Sequence, residues 1–544
     1  MNYSLNLFPL KIIIFSLLVL LLVSCANRVT PTGGEKDIEA PKLLATIPEN
    51  KSIHFNSKEI HLHFNENITL NDLQGQFFVS PLMSKLPDVK ANKREIIITL
   101  PIDLAPNTTY TLNFGKSIVD VHEANPLENF QYVFSTGDFL DSLKVEGTVV
   151  DASTVVGIKS ITVLVYRKSM DTKEDSIVFR KRPDYFAKSN EKGEFKIDNM
   201  AAGQYRLYAV DDKNSNYICD SSGEEPLAFM DSSIVLPGDA RPELRLSPLE
   251  PANPRFLKAL RLDRYSAMIS FNKRIDSLVL KTMNGSSWKG TQYSLANRDT
   301  FYFYSPDTIS DSLSLLMYDG DKLIDTLLQN LLPPAGVVGT RIRLRINPRQ
   351  SPASFGPASP FILNSNHPLQ LKLDSAEVIE DSSKAIRIPL QMIDAVTGYF
   401  KIDYAWQNGK KYKVTILPGA VKDIYAITND TVKQEFLVPT EESMAMLSIK
   451  TQNLNSDKNY LLQILSEKFE LIREMEISKD STYTFSYLNT GPIKLRLVED
   501  TNRDHLYTYS HFAKKRQPEK VFIYPEAITL RANWELEVVF TVTQ

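Results

Sequence analysis

Two stretches of this chain carry oxygen-bearing side chains at every second residue. Asp212, Asn214, Asn216 and Asp220 take positions one, three, five and nine of the first, and Ile218 offers a backbone carbonyl at the seventh. Asp500, Asn502, Asp504 and Thr508 repeat the spacing around Leu506. Calcium takes six to eight hard oxygen ligands, and donors at alternate positions of a turning loop can be gathered around one point. Two features oppose it. The sixth position, where such loops favour Gly, holds Tyr217 and His505, and no Glu stands at the twelfth, although Glu224 or Glu225 would serve the first loop. The alternative is a set of Asx-turns that cap a strand exit without metal. Calcium is therefore a candidate structural ligand, not a reactive one.

Other constellations are thinner. His61 and His63 share one face of a strand, with His54 near in sequence, and would hold zinc if a third ligand arrived from a neighbour; a solvated strand face is the simpler reading. The chain has no G-x-S-x-G elbow, H-E-x-x-H pair, phosphate loop or dinucleotide glycine pattern, and Cys219 has no nearby His. The expectation is a protein without catalytic residues. With 62 Lys+Arg against 65 Asp+Glu the net charge is -3, which offers no basic field for nucleic acid. Lys514, Lys515 and Arg516 form the densest basic patch, a solvated loop before it is a lipid-headgroup or glycan site. Trp288, Trp406, Tyr507 and Tyr509 could stack on sugars, but aromatics in sandwiches usually belong to the core.

The elements that must position these residues read as strands. A chain of 544 residues divides into three to five domains, and 27 Phe and 23 Tyr against 21 Gly lean towards sheet. Ile60 to Phe64 alternates apolar and polar residues, as Ile96 to Leu100 and Tyr110 to Phe114 do more loosely, with prolines between them. Phe195, Ile197, Met200, Gly203, Leu207 and Asp212 recur at a constant offset of 288 as Tyr483, Phe485, Leu488, Gly491, Leu495 and Asp500. Tyr412 to Ile416, Asp423 and Phe436 likewise mirror Tyr110 to Phe114, Asp120 and Phe134, and Ala267 to Lys273 echoes His63 to Glu66. The fold expected is all-β: a string of β-sandwiches over 43–138, 139–249, 250–346, 347–440 and 441–544.

Several of these segments resemble known families. Pro41, Pro48, Phe64-Asn65-Glu66, Leu104 to Tyr110, Asp120, Asn125-Pro126 and Phe134 to Gly137 resemble the bacterial Ig-like domain of the S-layer type. Gly193 to Met200 and Gly203 to Ala209 are similar to the carboxypeptidase-regulatory-like, or prealbumin-like, module, which implies a structural add-on and not a peptidase. At the start, Lys11 and the apolar run Ile12 to Val23 precede Leu22-Val23-Ser24-Cys25, which resembles the lipoprotein box. That resemblance implies a signal peptide over 1–24, covalent lipid on Cys25 and a tether over 25–42. As a helix the run of 12 covers about 18 Å, short of a bilayer core. Ala26 favours the outer membrane, and Glu35, Asp37 and Glu39 lie too far along to fix the leaflet, with the surface slightly favoured. Cys25 and Cys219 are the only cysteines, so no intrachain disulfide framework is expected. The whole resembles an Ig-like lipoprotein family of outer-membrane bacteria. The family's role is poorly defined, but a tethered string of edge-bearing sheets suits partner binding by strand addition. The expectation is therefore a non-enzymatic rod that acts as scaffold or accessory subunit of an integral barrel complex, such as one that assembles or exports outer-membrane proteins. The alternative is a surface glycan-binding or adhesive lipoprotein.

Overall fold

Glu59–Phe64 shows why these segments become strands: Ile60, Leu62 and Phe64 are buried on one face while His61 and His63 point to the other. The computed structural model describes residues 37–542 apart from 84, 129, 169–175, 221–224, 240, 250–252, 284, 295–297, 310–311, 331–341, 347–359 and 371–372. Nearly all of its regular secondary structure is strand; α-helix among the described residues is limited to the single turn Leu73–Gln76. The architecture is all-β, with sandwich-type sheets throughout. Separate buried clusters lie within 55–134, 145–246, 259–327, 361–438 and 445–542. The chain divides into two compact units between Leu140 and Asp141.

In the first unit Leu43–Ile47, Glu59–Phe64, Glu95–Thr99 and Asp88–Asn92 form one antiparallel sheet in that order, and Phe78–Ser80, Thr109–Asn113 and Gln131–Ser135 form another. Tyr110 lies opposite Phe134, and its hydroxyl accepts the Ala105 N–H at 2.8 Å. Asp120 holds the turn after Ile118–Asp120 by accepting the N–H groups of His122, Glu123, Ala124 and Asn125.

The second unit contains the repeat. In its first module Leu143–Asp151 lies between Glu194–Met200 and the parallel strand Glu243–Leu246. Facing it, Tyr185–Lys188, Thr162–Arg167 and Gly203–Val210 form a sheet whose last strand pairs with Leu227–Phe229 and then Ile234–Leu236. The last module has the same strand order: Thr482–Leu488, Ala445–Gln452 and parallel Glu535–Thr541 face Leu471–Ile477, Asn459–Leu465 and Gly491–Asp500, which pairs with Val521–Ile523 and then Ile528–Leu530. Between the two copies, Phe256–Arg261, Ser266–Phe271, Thr300–Tyr304 and Thr291–Ser294 face Leu278–Thr282, Ser312–Asp319 and Lys322–Asn330. The next sheet closes over its own core because Ile386–Asp394 gives its first half to Ser375–Glu380 and its second to Tyr399–Ile402. There Tyr412 lies opposite Phe436 and accepts the Gln407 N–H at 2.9 Å, as Tyr110 does from Ala105.

This unit is no rod. The last module returns to the first one of the repeat, where Phe512 packs among Phe179, Phe229 and Tyr208 at ring separations of 5.0, 5.2 and 6.3 Å. The Ser247 and Ser510 hydroxyls meet at 2.7 Å in a buried contact, Gln517 donates to the Phe229 carbonyl and Asp231, and Arg496 donates to the Ser153 carbonyl. Phe512→Ala is expected to cost about 2–3 kcal/mol, the lower end for a large aromatic because the ring is only part-buried, and Phe512→Leu less. Thermal unfolding of the full chain checks this; equal melting of Phe512→Ala and the unsubstituted protein would show that the ring does not hold the modules together.

Candidate functional site

Each oxygen-rich loop leaves the same strand of its module, Gly203–Val210 or Gly491–Asp500. Ser215 and Tyr217 have φ of 56° and 62°, and Arg503 and His505 have 57° and 59°. The sixth residue is therefore left-handed in both loops, as a turn built for Gly requires, even though Tyr and His occupy it. The turns are held by side chains. Asp212 accepts the Asn216 and Tyr217 N–H groups, and Asp500 accepts those of Asp504 and His505. Asn214 and Asn216 donate their amide N–H to Asp220, and Asn502 donates to Asp504 and Thr508. The Ile218 and Leu506 N–H groups bond Asn216 and Asp504.

A buried glutamate closes each loop. Glu225 accepts from the Lys213 and Asp220 N–H groups, and Glu519 from those of Thr501 and Thr508. Burial raises both carboxyls above the usual carboxylate range against the pull of these bonds. Sequence spacing pointed to Glu225 but not to Glu519, which follows an inserted hairpin. The Asx-turn network is thus present in both copies. The donors at positions one, three, five and nine line the same turn, but the amides of Asn214 and Asn216 would have to leave Asp220 for a cation to take that carboxylate. Among the described residues no three His, Cys, Asp or Glu form a group able to hold a metal.

Other candidates resolve differently. Cys25, the signal peptide, the tether to residue 36 and Glu224 lie outside the described residues. His61 and His63 flank Glu95 of the adjacent strand, His61 Nδ1 at 2.8 Å and His63 Nε2 at 3.9 Å, so their face is a polar strand surface with a carboxylate between the two rings. Trp406 is core, Trp288 packs on the core of its module, and Tyr507 packs on the cluster of Leu461, Val498 and Val521. Tyr509 remains exposed. Cys219 is buried, and burial pushes its thiol up to about 12, which leaves no thiolate for nucleophilic work.

Sequence reading missed the most concentrated buried charge. His367, with no exposed side-chain surface, places Nδ1 2.7 Å from Asp423 Oδ2 and Nε2 2.6 Å from Asp263 Oδ2. Each carboxylate divides its oxygens: Oδ1 of Asp263 accepts the Tyr265 and Ser266 N–H groups, and Oδ1 of Asp423 accepts those of Tyr425 and Ile427. Tyr304 and Tyr425 meet the imidazole edge-on, and Tyr425 stacks on Tyr265 at 4.4 Å. Asp263 belongs to one sandwich and Asp423 to the next, so the imidazole joins two modules. Burial alone would lower its pKa, but the two carboxylates outweigh it and hold the imidazolium up to about 9. Burial would raise Asp263, and the His367 and backbone bonds overcome it and lower it. Sealed from solvent, the triad is a joint and not a catalytic site.

Residues 37–136 match the bacterial Ig-like domain family. No curated protein matches the chain. Among solved structures, the major pilin subunit of Bacillus cereus is 8% identical over 74% of this chain and 99% of its own, with a TM-score of 0.15. Surface layer protein SbsC, domains 1–6, is 8% identical over 90% of this chain and 67% of its own, with a TM-score of 0.16. A segment of native alpha-2-macroglobulin from Escherichia coli is 8% identical over 46% of this chain and 97% of its own, with a TM-score of 0.19. Likenesses this distant define no role for this chain.

The joint has a pH signature. A histidine whose folded pKa exceeds its unfolded value near 6.5 stabilises fully below 6.5 and loses that contribution as pH rises through about 9. Asp263, lowered on folding, works the other way: its contribution is present above its ordinary value of 3.8 and is lost as pH falls through the folded one. The groups around the imidazole are Asp263, Asp423, Tyr265, Tyr304 and Tyr425; burial raises Tyr304 and Tyr425, which stay neutral across this window. Between pH 6.5 and 9 the His367 contribution falls by on the order of 3 kcal/mol. The melting temperature of the full chain should drop over that interval, and His367→Gln should melt lower and lose the slope. A slope unchanged by His367→Gln would show that the triad does not set it.

Proposed function

We propose that this chain is a non-enzymatic, lipid-anchored outer-membrane protein that holds a partner, as scaffold or accessory subunit of an integral outer-membrane complex concerned with barrel assembly or export. The observation that carries this reading is the state of the sheet edges. Among the described residues Leu43–Ile47 and Lys322–Asn330 are edge strands of their sheets, and both present apolar side chains to solvent, with Leu44 69% and Leu328 66% exposed. An apolar edge with unpaired backbone groups is the surface to which another chain adds a strand. Anchoring rests on Leu22 to Cys25, since several acyl chains bury enough methylenes to hold a protein at a bilayer. No helix among the described residues is long and apolar enough to cross a membrane. Purification of the tagged protein in mild detergent should bring an outer-membrane barrel protein with it. Leu44→Lys and Leu328→Lys should lower its recovery without changing melting, and Cys25→Ala should move the protein to the soluble fraction. A purified body that turns over a glycan, ester or peptide, with activity abolished by one carboxylate or serine change, would overturn the reading.

Calcium is proposed as the structural ligand of the two loops, held by Asp212, Asn214, Asn216, the Ile218 carbonyl and Asp220, and by Asp500, Asn502, Asp504, the Leu506 carbonyl and Thr508. The left-handed sixth residues support it. At a hundredfold excess over Kd one bound ion adds about 2.7 kcal/mol to folding, a rise of several degrees in melting temperature. Asp212→Ala and Asp500→Ala should each remove part of that rise, and equal melting in calcium and chelator would sink the proposal.

A further inference from the structure

The repeat places a second pair of equivalent features in the molecule. In each copy the long strand, Gly203–Val210 or Gly491–Asp500, pairs along one edge with two short strands in succession, and the chain between those short strands lines a cleft. An open cleft lies against the long strand in both copies, of about 590 Å³ in the first and about 960 Å³ in the second. Arg206 lines one cleft and Lys494 the other, 288 residues apart and thus at the same position of the repeat.

The two copies complete each other's clefts. Phe512 and Lys515 of the last module line the first cleft, and Val155, Val156 and Arg245 of the earlier module line the second. Cations outnumber carboxylates among the residues that line each cleft, in a chain whose net charge is -3. The first holds Lys168, Arg206 and Lys515 against Asp231. The second holds Arg245, Lys494 and Lys520 against Glu467 and Glu526, with Arg245 Nε also bonded to Glu243 at 2.9 Å. Aromatic rings stand beside the cations, with Lys494 Nζ 3.9 Å from the centroid of Phe469 and Lys520 Nζ 4.9 Å from that of Phe522.

We propose that these paired clefts bind a glycan bearing anionic groups, carboxylate or phosphate, with the anion on Arg206 or Lys494 and the sugar against the neighbouring rings. Cleft volumes of this size suit one to a few sugar rings, and positive charge set in concave walls attracts an anion more strongly than the same charge on a flat surface. An acidic peptide fits less well, because a peptide in extended form gains affinity from a free strand edge. Here both edges of each long strand are already paired, one by Thr162–Arg167 or Asn459–Leu465 and the other by the two short strands. Recognition must come from side chains. The proposal is independent of the barrel-partner reading, since the edge strands that carry that reading lie elsewhere.

The test is titration of the full mature lipoprotein in detergent with hexagalacturonate, a phosphorylated mannan oligosaccharide, neutral maltohexaose, polyglutamate and inorganic phosphate. The expected result is saturable binding of the acidic oligosaccharides that weakens as salt rises, with maltohexaose and free phosphate far weaker. Binding by either oligosaccharide supports the clefts and identifies the anion. Arg206→Gln and Lys494→Gln should each weaken binding about tenfold at one cleft, the loss of one charge-assisted contact, and the double variant should leave no cleft of the original affinity. Lys515→Gln, on an exposed loop of the opposite module, should weaken the first cleft with unchanged melting, which keeps the test readable if Arg206→Gln folds poorly. Lys384→Gln, exposed and lining neither cleft, should change nothing. Equal binding of acidic and neutral oligosaccharides, undiminished affinity in the double variant, or polyglutamate binding as tightly and weakened by the same substitutions would overturn it. Capture of a barrel protein with no glycan binding would overturn this proposal while leaving the partner reading intact.

Discussion

The geometry of the second unit depends on His367 keeping its charge where there is no water. An imidazolium enclosed between two carboxylates is costly to desolvate, and the cost is offset only while all three groups stay in contact and each remaining oxygen is bonded. Asp263 and Asp423 meet that condition by giving Oδ1 to their own turns and Oδ2 to the ring. Any hinge motion between the two modules would leave a buried charge without a partner, so the contact fixes an angle more than it adds cohesion. That angle has a consequence at a distance. From the repeat's first copy the chain passes through two sandwiches before the second copy returns, and Phe512 reaches Phe179 and Phe229 only if each intervening joint has one orientation.

The triad reuses a device that the first unit employs alone. Asp120 and Asp423 occupy matching places after matching strands, and both close a turn by accepting backbone N–H groups. Asp120 spends both oxygens on its own turn, whereas Asp423 gives one to a neighbour. A turn-capping carboxylate thus orients a histidine of its own module, whose other nitrogen makes the contact to Asp263 of the neighbouring one. His367 follows Phe361–Ser365 by two residues and projects from the strand's exit towards both carboxylates.

What sequence reveals here follows the range of the physical signal. Ile60, Leu62 and Phe64 announce a strand because burial on one face demands a period of two. Phe195 and Tyr483 announce a shared module because equal topologies need bulk at equal places. The joint was not legible: Asp263 lies 104 residues before His367 and Asp423 lies 56 after it, and no local pattern links them. Glu519 was hidden for a related reason, since the hairpin that carries Phe512 separates it from the loop it closes. Tyr217 and His505 argued against a tight turn by residue type, yet four side-chain bonds from Asp212 and Asp500 force the left-handed backbone that type alone disfavours. In each case the missing information was tertiary.

Duplication explains why so many features come in pairs. One strand with a split partner edge gives each copy an oxygen-rich loop at its end and a cation-bearing cleft at its side. When the copies face each other, the same outward residue of that strand serves the contact in both, as Tyr208 against Phe512 and as Arg496 to the Ser153 carbonyl, 288 residues apart. A single module would leave this outer face open to solvent, with Leu164, Tyr166 and Val210 in one copy and Leu461 and Val498 in the other needing cover. Apolar surface of that extent favours association, and a second copy on the same chain supplies it at high effective concentration. Each module's exposed face thus becomes the other's wall, and the clefts are formed by the closure itself.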